Sequence, residues 1–357
     1  MNLKIGIVGL PNVGKSTLFN ALTNAGALAA NYPFATIEPN VGIVPVPDER
    51  LQVLAKMYDT EKIVPATVEF VDIAGLVAGA SKGEGLGNKF LAHIRECQAI
   101  CHVVRAFGGS DVVRADEKVV NSVDEIVQQA KDDIEIINLE LQLADEETKA
   151  RIASKRKKSP EDENVPFLTD KPVIYMFNVD EEGLVDKNLH TKLCEIANHG
   201  RVVSPEGAPR DVFAGEEATT GPAQSQAIFV DAKLEEEMSG MNREERKEFL
   251  ESYGVKDDAL GELIKAAYQT LGLQSFLTAG KKEVRAWTIK KGATAPQAAG
   301  TIHTDFERGF IAASICNYDD LAKLGSEKAV REAGKLRTEG KTYIMKEGDV
   351  VEFKFNV

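Results

Sequence analysis

Short apolar runs alternate with segments of helical periodicity along the first two thirds of the chain. Continuous apolar runs of roughly four to eight residues are typical of strands that are buried on both faces of a parallel sheet. The runs that predict strands are Leu3–Val8, Val41–Val44, Ala66–Asp72, Ala99–Phe107, Val173–Asn178 and Ala227–Asp231. The segments that predict helices begin after Ser16, Asp48 and Asn88, and cover Lys187–Asn198 and Met241–Leu271. The pattern therefore predicts an α/β fold with a parallel-type sheet.

The periodicity changes from about Val119 onwards. Apolar residues recur there at intervals of three and four beside dense charges, which is typical of a long amphipathic helix. They are Val123, Ile126, Val127, Ala130, Ile134, Ile137, Leu141 and Ala144. We interpret this helix as one half of a helical hairpin that projects from the sheet, and we predict the helical insertion over about residues 119–170.

The C-terminal part of the chain has shorter strand patterns and no catalytic spacing. We predict strands at Glu283–Thr288 and Ala295–Ile302, separated by a turn at Lys290–Gly292, and then a helix from Thr304. Ile344–Phe355 closes the chain with a turn between strands. These elements predict a small mixed sheet that curls around one helix.

The segment Gly9–Ser16 matches G-x-x-x-x-G-K-[ST] and lies between a predicted strand and a predicted helix. This arrangement directs backbone N–H groups and a helix N-terminus at phosphate oxygens. Glycines at both ends of the loop let the backbone approach an anion without a Cβ in the way. The alternative is a chance match in a structural turn. The predicted phosphate contacts are Asn12, Val13, Gly14, Lys15, Ser16 and Thr17.

Several of these residues have a predicted role in phosphate and magnesium binding. Lys15 is expected to reach the β- and γ-phosphates, and the Ser16 hydroxyl to hold Mg²⁺. The strand that ends at Asp72 is followed by Gly75, so Asp72 is expected to hold Mg²⁺ through water and the Gly75 N–H to meet the γ-phosphate. Thr36 lies in the loop after the first helix, where nucleotide switches place a further Mg²⁺ ligand. Alternatively, Thr36 merely begins the next strand.

Composition narrows the function classes only modestly. The 357 residues are 43% hydrophobic and 28% charged, and no apolar run reaches the roughly 20 residues that span a bilayer. The chain enters a strand and a phosphate loop at once, so we predict no signal peptide and a cytoplasmic protein. Its four cysteines form no CxxC pair and no disulfide framework.

Charge is distributed unevenly along the chain. The formal net charge of −13 argues against a broad, unspecific nucleic-acid coat. Residues 275–357, however, carry 14 Lys and Arg against 11 Asp and Glu, a net charge of +3. Lys155–Lys158 form a second basic cluster, which is either a solvated helix end or an electrostatic contact with RNA phosphates. The asymmetry indicates different partners for the two ends of the chain.

A second polar cluster follows two predicted strands, at Asn178–Glu181 and at Asp231–Lys233. Nucleotide-binding α/β sheets place ligands at the carboxyl ends of their strands. Proteins that read guanine carry N-K-x-D, whose Asp accepts two hydrogen bonds from the base. Here Glu181 holds the fourth place and Val179 replaces the Lys, so the contacts that discriminate guanine most are lost.

We therefore expect adenine as the base. Asn178 and the backbone around Val179 are its predicted contacts, and Glu181 and Ala232 are predicted to lie beside it. Alternatively, Glu181 simply reaches further and still reads guanine.

The motifs together resemble a known family. Those that resemble the Obg-related branch of translation-type G proteins are GLPNVGKST at Gly9–Thr17, NYPFATIEPN at Asn31–Asn40 and DIAGL at Asp72–Leu76. Those that resemble the YchF/Obg-like ATPase family are NVDE at Asn178–Glu181, the helical insertion and the tail segments Ala295–Ile311 and Gly348–Val357. The resemblance covers essentially the whole chain.

This resemblance has implications for architecture and partners. It implies a P-loop domain over residues 1–272, with an inserted coiled-coil hairpin, and a C-terminal TGS domain of β-grasp type over residues 273–357. It also implies binding to the large ribosomal subunit or the assembled ribosome, with a role in translation or stress response. It further implies ATP in preference to GTP, Mg²⁺ as cofactor, and an RNA contact through the TGS domain.

Two positions bear on the rate of hydrolysis. Ras-like enzymes carry a Gln after D-x-x-G to orient the attacking water, whereas this chain has Leu76. The family is thought to use a His in the loop after the strand that ends at Phe107, and the matching position is Arg114. A guanidinium stabilises phosphoryl charge but orients water poorly. We therefore predict slow hydrolysis, with Arg114 as a participant beside Lys15 and Gly75.

Two further residues differ in what they imply. Asn12 resembles the residue that marks potassium-stimulated relatives, which adds K⁺ as a second cation. Asp231 replaces the family's Ser before Ala232 and Lys233, a change on the base side.

Three functional hypotheses result. The leading one is a monomeric, ATP-hydrolysing molecular switch that docks on the ribosome and binds GTP less well. The second is a nucleotide-gated binding module in which hydrolysis is incidental, and the third is a GTPase.

Overall fold

The computed structural model describes residues 3–29, 40–73, 86–108, 122–154, 165–199, 226–241, 243–255 and 258–356. The sequence-predicted features that lie outside these ranges are Thr36, Gly75, Leu76, Arg114 and Lys155–Lys158. The chain divides into two compact units. The described residues of the first fall within 3–44, 68–199 and 226–267, and those of the second within 45–67 and 268–356.

The described strands, in chain order, are β1 (Lys4–Val8), β2 (Val41–Pro45), β3 (Ile63–Val64), β4 (Thr67–Asp72), β5 (Ala99–Arg105), β6 (Val173–Asn178), β7 (Gln226–Val230), β8 (Leu273–Ala279), β9 (Val284–Lys290), β10 (Phe310–Asn317), β11 (Arg337–Glu339) and β12 (Asp349–Phe355). The described helices are α1 (Lys15–Ala29), α2 (Glu49–Tyr58), α3 (Leu86–Glu96), α4 (Val123–Ser154), α5 (Lys187–His199), α6 (Ala232–Glu237), α7 (Arg243–Ser252), α8 (Ala259–Thr270), α9 (Ala295–Ile302), α10 (Thr304–Arg308), α11 (Tyr318–Leu324) and α12 (Glu327–Glu332).

Six strands form the sheet of the first unit, in the order β2-β4-β1-β5-β6-β7. β1 pairs in parallel with β4 and β5, β5 with β6, and β6 with β7. Their carboxyl ends therefore meet at one edge, where Arg105 and Val230 flank Asn178. The apolar runs fill the interior, and Ile5 and Phe70 are completely buried. The predicted α/β fold with a parallel-type sheet is confirmed.

α4 is the long amphipathic helix that the periodicity predicts, and it extends over 32 residues. Its apolar positions Ala130 and Ile134 lie in one buried cluster with Val104 of β5, Tyr175 of β6 and Leu193 of α5. Helical spacing therefore aligns the side chains that cover this part of the sheet.

The segment that follows α4 differs from the predicted hairpin. Residues 165–172, which return to β6, are not helical. The Leu168 and Thr169 N–H groups donate to the Asp145 carboxylate at 2.9 Å each, which fastens this irregular segment to α4. Over the ranges described above, the insertion thus contains one long helix and no second helical arm.

Two helical boundaries also differ from the prediction. Asn88 lies inside α3, which begins at Leu86, and so does not cap it. Met241–Leu271 contains two helices, α7 and α8, rather than one. Gly254 follows α7 with a φ of 75°, a left-handed conformation that ends helices and suits glycine.

The second unit contains a mixed sheet with the order β11-β10-β12-β8-β9-β3. The pairs β8–β9, β10–β12 and β10–β11 are antiparallel, whereas β8–β12 and β3–β9 are parallel. Helix α9 places Ala295 and Ala299 in a buried cluster with Phe276 and Ile315 of the sheet. The prediction of a mixed sheet packed on a helix is confirmed.

One predicted strand of this unit is wrong, because Ala295–Ile302 is helix α9. Pro296 lies in its first turn, where a missing N–H costs nothing, and the Thr294 N–H donates to Gln297 Oε1 at 2.9 Å. Ala295, Ala298 and Ala299 are buried at helical spacing. The predicted helix from Thr304 is the short α10, and the strand that follows is β10.

An excursion between β2 and β4 belongs to the second unit, which no sequence pattern indicated. Residues 45–67 contain α2 and β3, and β3 pairs with β9 through Ile63 opposite Val284. Arg50 Nη2 lies 2.6 Å from Glu347 Oε1 and 2.8 Å from Asp48 Oδ2. The predicted domain bounds of 1–272 and 273–357 leave this excursion out, and they stay a prediction.

Candidate nucleotide-binding site

The loop between β1 and α1 has the backbone that an anion site needs. Asn12 and Gly14 have φ values of 65° and 87°, and the Leu18 N–H donates to Gly14 O at 2.9 Å to begin α1. A Cβ at Gly9 would lie 2.6 Å from Val103 O, so only glycine fits there. The loop is therefore shaped by two glycines, as the sequence predicts.

Lys15 and Asp72 come together at the carboxyl edge of the sheet. Lys15 Nζ donates to Asp72 Oδ1 at 2.6 Å, and both side chains are largely buried. Asp72 reaches this point because β4 pairs with β1, where Ile7 is opposite Asp72. The adjacent Ser16 is exposed at the start of α1, and Thr17 is half-buried. A cation, a carboxylate and a hydroxyl thus surround the loop.

These residues fit a magnesium ion. Mg²⁺ prefers oxygen ligands and is usually held by one or two protein groups together with substrate phosphates and water. The Ser16 hydroxyl and the Asp72 carboxylate are such groups. No cluster of three or more His, Cys, Asp and Glu side chains occurs among the residues that the structure describes, so a dense protein-only metal site is not found there.

Asn178 joins the phosphate loop to Ala232, which the sequence predicts to lie beside the base. Its Nδ2 donates to Val13 O at 3.0 Å, and its Oδ1 accepts from the Ala232 N–H at 3.0 Å. The residue is 6% exposed, and a Cβ at Gly14 would lie 2.4 Å from Asn178 Nδ2. Asn178 therefore links the phosphate loop to the start of α6, and these two hydrogen bonds leave one N–H of its Nδ2 without a partner among the described residues.

The other residues predicted for the base differ in exposure. Val179 is buried, and its N–H donates to Val230 O at 2.8 Å, so that N–H is already used. Ala232 is buried at the first position of α6. Glu181 is exposed, in the turn where the Gly183 N–H donates to Asp180 Oδ1 at 2.9 Å.

Asp231 caps helix α6. Its Oδ1 accepts from the N–H groups of Lys233 at 2.9 Å and Leu234 at 3.1 Å. Burial, which outweighs the two hydrogen bonds, raises the pKa of Asp231, and the nearby Asp180 adds to this shift. Sequence reasoning missed the cap, although an Asp directly before a helix is the signal for one.

The structure therefore brings together most of the described site residues that the sequence predicts. Those at the phosphate loop and its edge are Asn12, Val13, Gly14, Lys15, Ser16, Thr17, Asp72, Asn178 and Ala232. Val179 lies behind them in the interior, and Glu181 has no described hydrogen bond to this group.

The parallel sheet, the glycine loop and the Lys15–Asp72 pair define a P-loop nucleotide-binding protein of the G-protein type. Comparison with family models agrees with this class. Residues 4–140 match the MMR_HSR1 model, described as "50S ribosome-binding GTPase". Residues 273–356 match the YchF-GTPase_C model, described as "Protein of unknown function (DUF933)".

The chain belongs to the YchF family. It is 47% identical over an alignment of 395 positions to "Ribosome-binding ATPase YchF" of Bacillus subtilis and 46% identical over one of 396 to that of Haemophilus influenzae, with 100% of each chain covered. A solved structure, of the Schizosaccharomyces pombe YchF GTPase, is 35% identical and superposes with a TM-score of 0.72. That match covers 99% of this chain and 98% of the other.

Across the ranges that the structure describes, none of the helices combines the length and the apolar character that crossing a membrane requires.

Proposed function

We propose that this protein is a nucleotide-dependent switch that hydrolyses ATP and binds ribosomes. The observation that carries the proposal is the convergence of Lys15, Asp72 and the Gly14 turn at one edge of the parallel sheet. Relatives that are 47% and 46% identical over their full length are named ribosome-binding ATPases. A monomer in the cytoplasm, where ribosomes work, is part of this proposal.

In the proposed mechanism, the loop N–H groups and Lys15 Nζ hold the β- and γ-phosphates. Lys15 would exchange the Asp72 carboxylate for phosphate oxygens, and Asp72 would then be available to hold Mg²⁺ through water. The Ser16 and Thr36 hydroxyls are the proposed direct ligands, and Mg²⁺ when bound neutralises charge on the phosphate oxygens. Water attacks the γ-phosphorus and the bond to the β–γ bridging oxygen breaks, which gives ADP and inorganic phosphate, and the proton of the attacking water passes to the released phosphate. The Gly75 N–H senses the γ-phosphate.

The hydrogen bond that the Ala232 N–H already makes supports adenine rather than guanine as the base. This N–H donates to Asn178 Oδ1 at 3.0 Å, so it is not free to donate to the 6-oxo group of guanine. A buried acceptor left without a partner costs about 1–3 kcal/mol. The 6-amino group of adenine is itself a donor and needs an acceptor, which the exposed Glu181 carboxylate offers.

Equilibrium titration with ATP and with GTP in the presence of Mg²⁺ tests both the site and the base. We expect ATP to bind more tightly, and Lys15→Ala to abolish binding of either nucleotide. Lys131→Ala, at an exposed position of α4, is the matched control and is expected to bind normally. GTP binding at least about ten times tighter, or 1.4 kcal/mol, would overturn the adenine assignment in favour of a GTPase.

Slow hydrolysis is the second part of the proposal, because Leu76 and Arg114 replace the residues that orient water in related enzymes. The same two positions favour the alternative of a nucleotide-gated binding module. Single-turnover hydrolysis with and without ribosomes separates the two. Stimulated hydrolysis supports the switch, whereas intact binding without stimulation supports the module.

Ribosome contact through basic segments is the third part. The net charge of +3 over residues 275–357 and the Lys155–Lys158 cluster suit RNA phosphates. Replacing all four residues of the cluster by Glu is expected to weaken cosedimentation with ribosomes, and the effect should be largest at low salt, where the electrostatic contact is least screened. Unchanged cosedimentation would remove the cluster from the proposal and leave the C-terminal segment as the contact.

A further inference from the structure

A buried ion pair lies on the helix that begins at the base side of the site. Glu235, on α6, is only 3% exposed, and its Oε2 accepts a hydrogen bond from Arg246 Nη2 of α7 at 2.7 Å. The Arg246 side chain is 16% exposed, and the same Nη2 lies 3.4 Å from the exposed Asp258 carboxylate. Arg246 thus makes its short contact in the interior and its long one at the surface.

The cost of burying a carboxylate indicates what Arg246 does. Burial raises the pKa of Glu235 to about 7 although Arg246 acts in the opposite direction. A buried carboxylate without a cation partner is strongly unfavourable, so the position of Glu235 depends on Arg246. The pair therefore determines where α6 can lie relative to α7.

Apolar contacts extend the same arrangement to the turn after β6. Leu234 and Met238 of α6 form a buried cluster with Leu250 of α7, and Leu184 of the turn packs against it. The turn that carries Asp180 and Glu181, the helix that begins at Ala232 and helix α7 thus share one small core.

We propose that Arg246 is a positioning residue for the nucleotide base. The proposal rests on the proposed nucleotide binding at this site, and Arg246 itself touches no ligand. One turn of α6 separates Glu235 from Ala232, whose N–H is bonded to Asn178. Asn178 in turn donates to Val13 O of the phosphate loop. Loss of Arg246 therefore shifts α6 and with it the Ala232–Asn178 contact, beside which the base is proposed to bind.

The phosphate loop has supports of its own besides its contacts with Asn178 and α6. The loop is fixed by β1, by the start of α1 and by the close approach of Gly9 to Val103 O. Lys15 is placed by α1 and meets Asp72 of β4. A defect at Arg246 should thus weaken ligands that have a base much more than ligands that consist of phosphate alone.

Calorimetric titration of Arg246→Gln with Mg-ATP and with Mg-tripolyphosphate, which has no base, tests the proposal. We expect the Kd for ATP to rise about tenfold and that for tripolyphosphate to change less than about twofold. Lys247→Gln on the same helix is the matched control, because Lys247 is exposed and lies 3.8 Å from Glu251 at the surface. It should change neither Kd.

An equal loss of affinity for both ligands, or no loss for either, would overturn the role of Arg246. If Arg246→Gln does not fold, Arg246→Lys keeps the charge but loses the planar fork of donors. Its expected effect is a smaller loss that is again confined to ATP, and an equal loss for both ligands contradicts the proposal there too. Failure of the unaltered protein to bind ATP would count against the proposed function instead.

Discussion

At the residue scale, Asn178 shows how one side chain joins segments that are distant in sequence. It is bonded to Val13, 165 residues earlier, and to Ala232, 54 residues later. Both partners are backbone groups in the interior of the site, so neither has water as a substitute. Its amide is suited to this because it presents a donor and an acceptor in one plane.

Asn178→Ala should therefore destabilise the protein as well as weaken nucleotide binding. The substitution leaves Val13 O and the Ala232 N–H without partners, which is expected to cost about 2–4 kcal/mol in the free energy of unfolding. Urea denaturation of the nucleotide-free protein measures this. Asn188→Ala, on the exposed side of α5, is the control and should change stability by less than about 0.5 kcal/mol. Equal stability of the two variants would contradict the bracing role.

His102 is a residue whose substitution is expected to stabilise the protein rather than destabilise it. It is a buried residue of β5, and its Nε2 has no hydrogen-bond partner within the described part of the chain. Burial lowers the pKa of His102 to about 3 from its usual 6.5. Since the unfolded chain binds a proton below about pH 6.5 and the folded chain does not, stability falls as the pH falls through this window, by at most about 1.4 kcal/mol per pH unit.

His102→Leu should remove this pH dependence and stabilise the fold. The change replaces an unsatisfied ring nitrogen by apolar surface of similar size. Urea unfolding of both proteins at pH 7 and at about pH 5.5 gives the change in the free energy of unfolding between the two pH values. Effects that both proteins share, such as the opposite titration of Glu235, cancel when the two changes are compared. The same slope in both proteins would show that His102 is not the source.

At the element scale, local patterns predicted some helix ends and missed others. The sequence predicted that α2 begins after Asp48, and the structure confirms this cap: the Asp48 carboxylate accepts from the Arg50 N–H at 3.0 Å. Helix α9 was missed because its small apolar residues resemble a strand, although Thr294 followed by Pro296 and Gln297 is a helix-start signal. The start of α6 depends on Asp231, which sequence reasoning treated only as a departure from the family.

Asp231→Ala should destabilise α6. It removes the acceptor of the Lys233 and Leu234 N–H groups, and loss of such a cap costs about 1 kcal/mol. Asp231→Ser is the matched control, because a hydroxyl also caps, and it should lie within about 0.5 kcal/mol of the original protein. Thermal unfolding followed by circular dichroism compares the three. A Ser variant as unstable as the Ala variant would argue against the cap.

At the scale of the whole molecule, a segment that lies between two parts of the first unit in sequence belongs to the second unit. Residues 45–67 leave the first unit after β2 and return at β4, yet they pack and pair within the second unit. Arg50 is central to this, since it bonds Asp48 of its own segment and Glu347, and Glu347 Oε2 accepts from the Ser275 N–H at 2.6 Å. The described residues of the second unit therefore come from two separate parts of the chain.

Arg50→Met should loosen the attachment of α2. The variant leaves the Asp48 and Glu347 carboxylates without their shared partner, and we expect faster amide hydrogen exchange in α2 and β3. The free energy of unfolding is expected to fall by about 1–3 kcal/mol, because hydrogen bonds to charged groups contribute this much. Lys56→Met, at an exposed position of the same helix, should leave exchange unchanged. Unaltered exchange in Arg50→Met would show that apolar packing alone holds the segment.

The sequence by itself determined the parallel sheet, the long helix and the phosphate loop, because these depend on local periodicity and on a contiguous motif. Tertiary structure decided the rest: the pairing of Lys15 with Asp72, the two hydrogen bonds of Asn178, the Glu235–Arg246 pair and the inclusion of residues 45–67 in the second unit. Those contacts join residues that are far apart along the chain. They form only because packing of the sheet and helices brings them together, and no local pattern encodes that.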